Sequence, residues 1–144
     1  MTRIEKSIEI NAPVEKVFEF VADWENVSKY FMGISDFKPT TEKTRGDGAR
    51  FSFKAKILGV EQEMEEEVSN FVENEGWTMT SVTDFESKDH WAFEPLDDQT
   101  KVTYTLEYEL LGTLQKVLDA LLVKRQWETN IEKSLQNLKR LLEA

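Results

Sequence analysis

The chain has 144 residues, a net charge of −10 at pH 7 and no cysteine. This length suits one domain, spanning residues 1–144, with a core large enough to fold without a disulfide or a structural metal. The lack of cysteine excludes disulfides, thiolate catalysis and zinc–sulfur centres. The acidic excess lies in residues 1–112 and repels a phosphate backbone, so we expect no nucleic-acid partner.

No segment approaches the roughly 18 apolar residues that a membrane span needs, and residues 1–6 lack the apolar region of a signal peptide. We therefore expect no membrane span and a cytoplasmic location. The residues suggest no cofactor and no metal, and they leave the oligomeric state open.

The first elements are a strand and two short helices. Residues 3–10 alternate between apolar and polar side chains, which predicts a half-buried strand. Asn11 is the expected N-cap of the first helix, Pro13 suits its first turn, and Val14, Val17, Phe18 and Val21 form its apolar stripe. A second short helical segment is predicted over residues 25–31.

From residue 34 to residue 110 the apolar period is two, interrupted by turn residues. It predicts a weak strand over 36–44, then strands over 49–58, 61–72, 77–83 and 85–93, and a last strand ending near Leu110. One-sided alternation across short links is typical of an antiparallel sheet with one solvated face. After Gly112 the period changes to 3.6 and predicts a long helix up to Ala144.

The widths of these elements predict a hollow. Seven strands about 4.8 Å apart make a sheet roughly 30 Å wide, whereas one helix is only about 10–12 Å thick. The sheet must therefore curl around the C-terminal helix, and the short helices must close one end. We expect an α+β fold with an apolar cavity between sheet and helix.

Three segments resemble a known superfamily. They are Ile8-Glu9-Ile10-Asn11-Ala12-Pro13 with the following Val17-Phe18, then Trp91-Ala92-Phe93-Glu94-Pro95-Leu96 with Thr100-Lys101-Val102, and finally Leu135-Gln136-Asn137-Leu138-Lys139. In this order they resemble the START-like, helix-grip (SRPBCC) superfamily, and within it the branch of polyketide cyclases and coenzyme-Q-binding proteins. The resemblance covers nearly the whole chain. It implies the helix-grip fold and a cavity for lipids, isoprenoid quinones or polyketides, but no particular reaction.

The predicted inner faces supply the candidate lining of that cavity. Apart from two tyrosines, its members are large and apolar, and the tyrosine hydroxyls are the expected polar points. The strand candidates for ligand binding are Phe51, Phe53, Met64, Trp77, Met79, Trp91, Phe93, Tyr104 and Tyr108.

The C-terminal helix adds Leu121, Lys124 and Glu128 to the candidate ligand-binding residues. The apolar stripe of this helix runs through Val117, Leu121, Ile131, Leu135, Leu138 and Leu142, with Lys124 and Glu128 in its middle. In one interpretation the two charges line a wet cavity and bind the polar head of a ligand. In the other the start of the helix overhangs the sheet edge and both side chains reach solvent.

Two strand carboxylates raise the question of acid–base chemistry. Glu66 shares a face with Met64 and Val68, and Asp89 shares a face with Trp91 and Phe93, so strict alternation turns both inward. A buried carboxyl group would have a raised pKa. One bulge reverses the faces, however, and we take that reversal as the expected case. His90 is expected on the surface, and so are most carboxylates of residues 61–67.

The leading functional hypothesis is binding of a hydrophobic small molecule by a non-catalytic carrier or sensor. The first alternative is an enzyme of the cyclase or dehydratase type that uses an inward carboxylate or tyrosine as acid and base. The second alternative is a protein-interaction module whose acidic body would favour a basic partner.

Overall fold

The computed structural model describes residues 1–110 and 119–144. Its elements are given in chain order, with strands as β and helices as α. They are β1 (Thr2–Ile10), α1 (Val14–Ala22), a 3₁₀ turn (Trp24–Asn26), α2 (Val27–Tyr30), β2 (Ile34–Pro39), β3 (Arg50–Ile57), β4 (Val60–Val72), β5 (Gly76–Ser81), β6 (Ser87–Leu96), β7 (Gln99–Tyr108) and α3 (Ala120–Leu142).

The seven strands form one antiparallel sheet in the order β1-β7-β6-β5-β4-β3-β2. Only the β1–β7 pair joins strands that are distant in sequence, with Ile4 opposite Leu106 and Ile8 opposite Val102. The sheet curves around α3, with the short helices after β1, which confirms the predicted helix-grip architecture. Of the predicted C-terminal helix, the part over residues 111–118, including Val117, lies outside the described residues.

Helix α1 closes one end of the curved sheet. It buries Val17, Phe18 and Val21, as the predicted stripe requires. The Phe18 ring packs edge-on against three other rings, with centroid distances of 5.1 Å to Phe93 and 5.5 Å to both Phe71 and Trp77. Aromatic edges carry positive partial charge and ring faces negative, so such edge-to-face contacts add to the gain from burying the rings.

The predicted N-cap of α1 is wrong by two residues. Pro13 occupies the N-cap position, and no side chain caps the helix. The backbone N–H of Asn11 donates instead to Glu143 Oε2 at 2.7 Å, which ties the β1–α1 connection to the residue that follows α3. The sequence could not show this long-range partner.

Polar side chains on the buried face of α3 hold α2 and the residues after it. Ser134 Oγ accepts a hydrogen bond from the Met32 backbone N–H at 2.8 Å and donates to the Asn130 carbonyl at 2.7 Å. Asn137 Nδ2 donates to the Tyr30 carbonyl at 3.1 Å. These bonds satisfy backbone groups where α2 ends and fix α2 against α3.

Gly33 lies where this connection passes closest to α3. Its φ of 91° is in the left-handed region, and a Cβ there would collide with the Asn130 side-chain amide. Both the backbone angle and the close approach therefore require glycine.

None of the helices within residues 1–110 and 119–144 combines the length and the apolar character that crossing a bilayer would require.

Candidate functional site

A cavity of about 130 Å³ lies between the concave face of the sheet and the helices. For comparison, an apolar cavity of about 150 Å³ engineered into another protein binds benzene. All four tryptophans of the chain line the cavity: Trp77 and Trp91 from the sheet, Trp24 from the 3₁₀ turn, and Trp127 from α3. The walls are therefore mostly aromatic, which suits a flat or apolar guest.

Most of the candidate residues predicted from the strands meet in this cavity. Those that line it are Phe51, Phe53, Met64, Trp77, Met79, Trp91, Tyr104 and Tyr108. Phe93 is buried but is not among the lining residues, because it packs in the aromatic cluster around Phe18 at the closed end. Contact between these side chains and a ligand stays a prediction.

The structure does not bring the three candidates from the C-terminal helix to the cavity. Leu121 is 55% exposed. Lys124 and Glu128 are partly exposed and do not line the cavity, and Glu128 Oε2 lies 3.8 Å from Lys6 Nζ on edge strand β1. A polar spot formed by Lys124 and Glu128 inside the cavity is therefore not part of the structure, and the second interpretation, in which both reach the surface, describes their positions.

Ile131, Leu135, Leu138 and Leu142 of the predicted α3 stripe are buried as expected, but other residues of the helix line the cavity. Val123 and Trp127 line the cavity, and the buried face continues through Asn130 and Ser134. Two polar residues thus lie on the buried side, where Ser134 bonds to the Asn130 carbonyl and to the Met32 backbone N–H, two residues after α2. Because the stripe was predicted from apolar residues alone, it contained Leu121 and left out Asn130 and Ser134.

Glu66 and Asp89 both point inward, at 5% and 7% exposure. The expected reversal of their faces is wrong, since the register shift in β4 falls between Ser69 and Val72, beyond Glu66. Strands β5, β6 and β7 pair without a shift around Asp89, which lies opposite Met79 and Leu106. Alternation therefore holds at both positions and carries two carboxyl groups into an aromatic cavity.

The two carboxyl groups are neighbours, and each accepts a hydrogen bond from a hydroxyl group. Ser87 Oγ donates to Glu66 Oε2 at 3.1 Å, and Tyr104 Oη donates to Asp89 Oδ2 at 2.8 Å. The two carboxyls are close enough for each to affect the pKa of the other. Asp89 Oδ1 is buried and has no hydrogen-bond partner in residues 1–110 and 119–144. It is therefore an acceptor that a proton on the neighbouring Glu66, or a donor group of a ligand, can satisfy.

Burial sets the protonation of this pair. It raises the pKa of the Glu66 carboxyl well above its usual range, and the neighbouring Asp89 charge raises it further. Burial also raises the pKa of Asp89 to about 7, although the hydrogen bond from Tyr104 opposes the rise. The pKa of Tyr104 is raised, chiefly by burial, so its hydroxyl stays a donor. Near neutral pH the pair holds one proton firmly and a second one loosely.

Other titratable candidates lie outside the cavity. His90 is exposed, as expected, and its Nδ1 lies 2.8 Å from Thr78 Oγ1. On the outer face of β4, Glu67 Oε1 bonds Arg50 Nε at 2.7 Å, and Glu65 Oε2 lies 3.8 Å from Arg50 Nη1. Glu66 alone among the carboxylates of residues 61–67 is buried.

Sequence reasoning missed several residues that line the cavity. Trp24 and Tyr30 lie on the short helical segments, Ser87 lies at the start of β6, and Trp127 lies on α3. The two tryptophans were the available signal, since tryptophan side chains are on average largely buried in folded proteins. Ser87 gave none.

Comparison with known proteins places the chain among relatives of the same fold. The family model described as "Polyketide cyclase / dehydrase and lipid transport" matches residues 1–143. The comparison with curated proteins gives no match.

Three solved structures show the extent of the likeness. The structure of TTHA0849 from Thermus thermophilus superposes with a TM-score of 0.84 at 24% identity, covering 98% of this chain and 97% of that one. A START superfamily protein from Mycobacterium smegmatis gives 0.79 at 18% identity, over 98% and 97%. The di-domain ARO/CYC BexL from the BE-7585A biosynthetic pathway gives 0.69 at 19% identity, over 97% of this chain and 46% of that one.

These likenesses establish the fold, and they confirm the START-like resemblance seen in the three sequence segments. The family match extends from β1 through α3, so it includes every element that forms the cavity. The chain belongs to the polyketide cyclase/dehydrase and lipid transport family, whose helix-grip fold is suited to holding a hydrophobic ligand.

Proposed function

We propose that the chain binds a hydrophobic small molecule in the cavity between sheet and α3, as a carrier or sensor. The observation that supports this most is the cavity itself. Large aromatic and aliphatic side chains surround it but do not fill it. Protein cores are normally packed without ligand-sized voids, because each void forfeits contacts between its walls. A ligand that fills the space restores those contacts.

The polar groups of the cavity define how such a ligand would lie. Among the described lining residues, Glu66 and Asp89 are the carboxylates, and they lie beside Tyr104 and Ser87 in mid-sheet. The rest of the wall is dominated by apolar side chains. The proposed ligand therefore has a large apolar body and one polar group, which reaches this cluster.

Binding can be tested with N-phenyl-1-naphthylamine, a neutral apolar dye that fluoresces when it leaves water. We expect saturable binding to the wild type. Ala55→Trp places a large side chain on a lining position and should abolish binding. Lys56→Trp adds the same side chain one residue later, on the exposed outer face, and should bind as the wild type does. Equal binding by both variants, or none by the wild type, would contradict the proposal.

Acid–base catalysis on the bound molecule is the second candidate function. The Glu66–Asp89 pair favours it, because two carboxyls with raised pKa values in one cavity can give and accept a proton near neutral pH. Wild type and the Glu66→Gln/Asp89→Asn variant, purified from the same cells, should then carry different molecules, product and substrate. Identical bound molecules, identified by mass spectrometry, would favour the carrier or sensor.

A further inference from the structure

The geometry points to a hydrophobic amine as the class of ligand, with its cationic head directed at the Glu66–Asp89 pair and with the matching carboxylate rejected. This inference rests on the proposed function, because it specifies the ligand of the same cavity. Four observations support it: the burial of both carboxyls in the cavity wall, the position of the lining arginine, the surrounding aromatic rings, and the hydrogen bonds already in use.

Above pH 7 the pair carries a buried negative charge, and no basic side chain among the described residues hydrogen-bonds to it. The pKa of Glu66 is raised well above its usual range and that of Asp89 to about 7, so one carboxylate charge remains on the two groups at pH 8. Asp89 Oδ1 is buried and has no hydrogen-bond partner among the described residues. The hydrogen-bond donors to the pair, Tyr104 and Ser87, are neutral. A buried charge without an opposite charge is costly, and a cation beside it removes much of that cost.

Arg45 is the basic residue among the described residues that line the cavity, and it is already engaged. Its guanidinium makes two hydrogen bonds to the Glu19 carboxylate, at 3.0 and 3.3 Å. It also lies over the rings of Phe18 and Phe71, 5.8 and 5.4 Å from their centroids. The charge of Arg45 is therefore paired with Glu19, and the face of its guanidinium group is covered by aromatic rings.

Arg45 is also distant from the carboxyl pair. Phe71, which it covers, is five residues along β4 from Glu66, and strand rise puts those positions roughly 15 Å apart. Among the described residues, a ligand carboxylate near the pair would therefore meet two acids and no unpaired basic side chain. Like charges at close range in a poorly solvated site repel strongly.

Aromatic rings beside the pair suit a cation. Tyr104, which bonds Asp89, packs against Trp91 with a centroid distance of 4.7 Å, and Phe31 packs against Tyr104 at 5.4 Å. Ring faces attract ammonium groups, and the attraction grows where water is excluded. The same corner of the cavity thus offers an anion and aromatic faces to one head group.

Three probes of nearly equal shape test the inference: 2-naphthylmethylamine, 2-naphthylmethanol and 2-naphthoate. Calorimetric titration at pH 8 keeps the amine cationic and the acid ionised. We expect the amine to bind at least about tenfold more tightly than the alcohol, and the naphthoate more weakly than the alcohol. Naphthoate binding equal to or tighter than amine binding would overturn the inference. Failure of all three probes would instead contradict the proposed function.

Two variants show whether the carboxyl pair is the source of the preference. Glu66→Gln replaces the protonated partner by a neutral donor and leaves the Asp89 charge, so the preference for the amine should remain. Glu66→Gln/Asp89→Asn removes the charge, so amine and alcohol should then bind with similar affinity. Glu63→Gln, on the exposed face of the same strand, is the matched control and should behave as the wild type does. An unchanged amine preference in the double variant would overturn the inference.

Discussion

The hydroxyl of Tyr104 donates a hydrogen bond of 2.8 Å to Asp89 Oδ2, although the two residues are not partners in the β6–β7 register. Tyr104 lies opposite Trp91, and Asp89 lies opposite Leu106, so the bond runs diagonally across the concave face. Both groups are buried. The bond therefore holds the Asp89 carboxylate at one edge of the cavity, and it stabilises the charged form of the acid.

Removing this donor should raise the pKa of Asp89. Tyr104→Phe keeps the ring and deletes the hydroxyl that lowers that pKa. We expect the Asp89 carboxyl, followed by carbon-13 NMR, to titrate above about 7. We also expect a loss of about 1–3 kcal/mol in the free energy of unfolding near pH 8, where the carboxylate is charged.

Tyr108→Phe is the matched control for that measurement. It deletes another hydroxyl of the cavity, one that makes no hydrogen bond to Asp89. The Asp89 titration should stay near that of the wild type. An unchanged titration in Tyr104→Phe would show that the observed bond does not set the pKa of Asp89.

The carboxyl pair should make the folded protein less stable as pH rises. Burial raises the folded-state pKa of both acids above their unfolded values, so the folded state binds more protons than the unfolded state between those pKa values. Their stabilising contribution is complete below pH 4 and is lost as pH rises through 7. For Asp89, whose pKa rises from 3.8 to about 7, the loss is about 4 kcal/mol.

Urea unfolding of wild type and Glu66→Gln/Asp89→Asn from pH 5 to pH 8 measures this contribution. Other groups titrate in both proteins, so the informative quantity is the difference between the two free energies of unfolding. We expect the wild type to lose stability relative to the variant as pH rises. A difference that does not vary with pH would contradict the raised pKa values.

The hydrogen bonds of Ser134 should stabilise the α2–α3 contact. Ser134→Ala leaves the Met32 backbone N–H without its partner and should cost about 1–2 kcal/mol in the free energy of unfolding. It should also weaken binding of N-phenyl-1-naphthylamine, because Tyr30 and Phe31 line the cavity just before Met32. Ser28→Ala, at an exposed position on α2, should change neither quantity. Equal stability of the two variants would refute a role for the Ser134 bonds.

Gly33→Ala should destabilise the fold by more than a comparable change elsewhere. Gly33 and Gly48 have φ values of 91° and 88°, so alanine is strained at both. Only at Gly33 does the added methyl group meet the Asn130 amide, whereas nothing lies within 4 Å of the corresponding position at Gly48. We expect thermal unfolding to show a larger loss for Gly33→Ala, by about 1–2 kcal/mol. Similar losses would mean that the backbone angle alone matters.

The fold could be predicted because its strands and helices follow simple periods. Alternation over residues 34–110 and the 3.6 period near the C-terminus gave the element order, and the width of the sheet required curvature. The same alternation had turned Glu66 and Asp89 inward. The uncertainty came from bulges, since one extra residue reverses a strand face, and only the structure shows that the β4 irregularity lies beyond Glu66.

The residues by which α3 lines the cavity could not be predicted, because polar residues occupy part of its buried face. Asn130 and Ser134 bond to other side chains and to backbone groups, which the sequence does not reveal. Because they are polar, the sequence pattern assigned the buried face of this part of the helix to Leu121 instead. Trp127 was the remaining clue to the residues that line the cavity, whereas Leu135, Leu138 and Leu142 are buried as predicted.

A hydrophobic molecule that enters the cavity should contact the four tryptophans, which makes them the best probes of its entry. Their indole N–H groups give signals of their own in proton–nitrogen NMR spectra, and Trp24, Trp77, Trp91 and Trp127 line the cavity from four different elements. Titration with 2-naphthylmethylamine should shift all four signals with one common dissociation constant. Indole signals that stay in place, while only amides of the outer surface shift, would contradict the account.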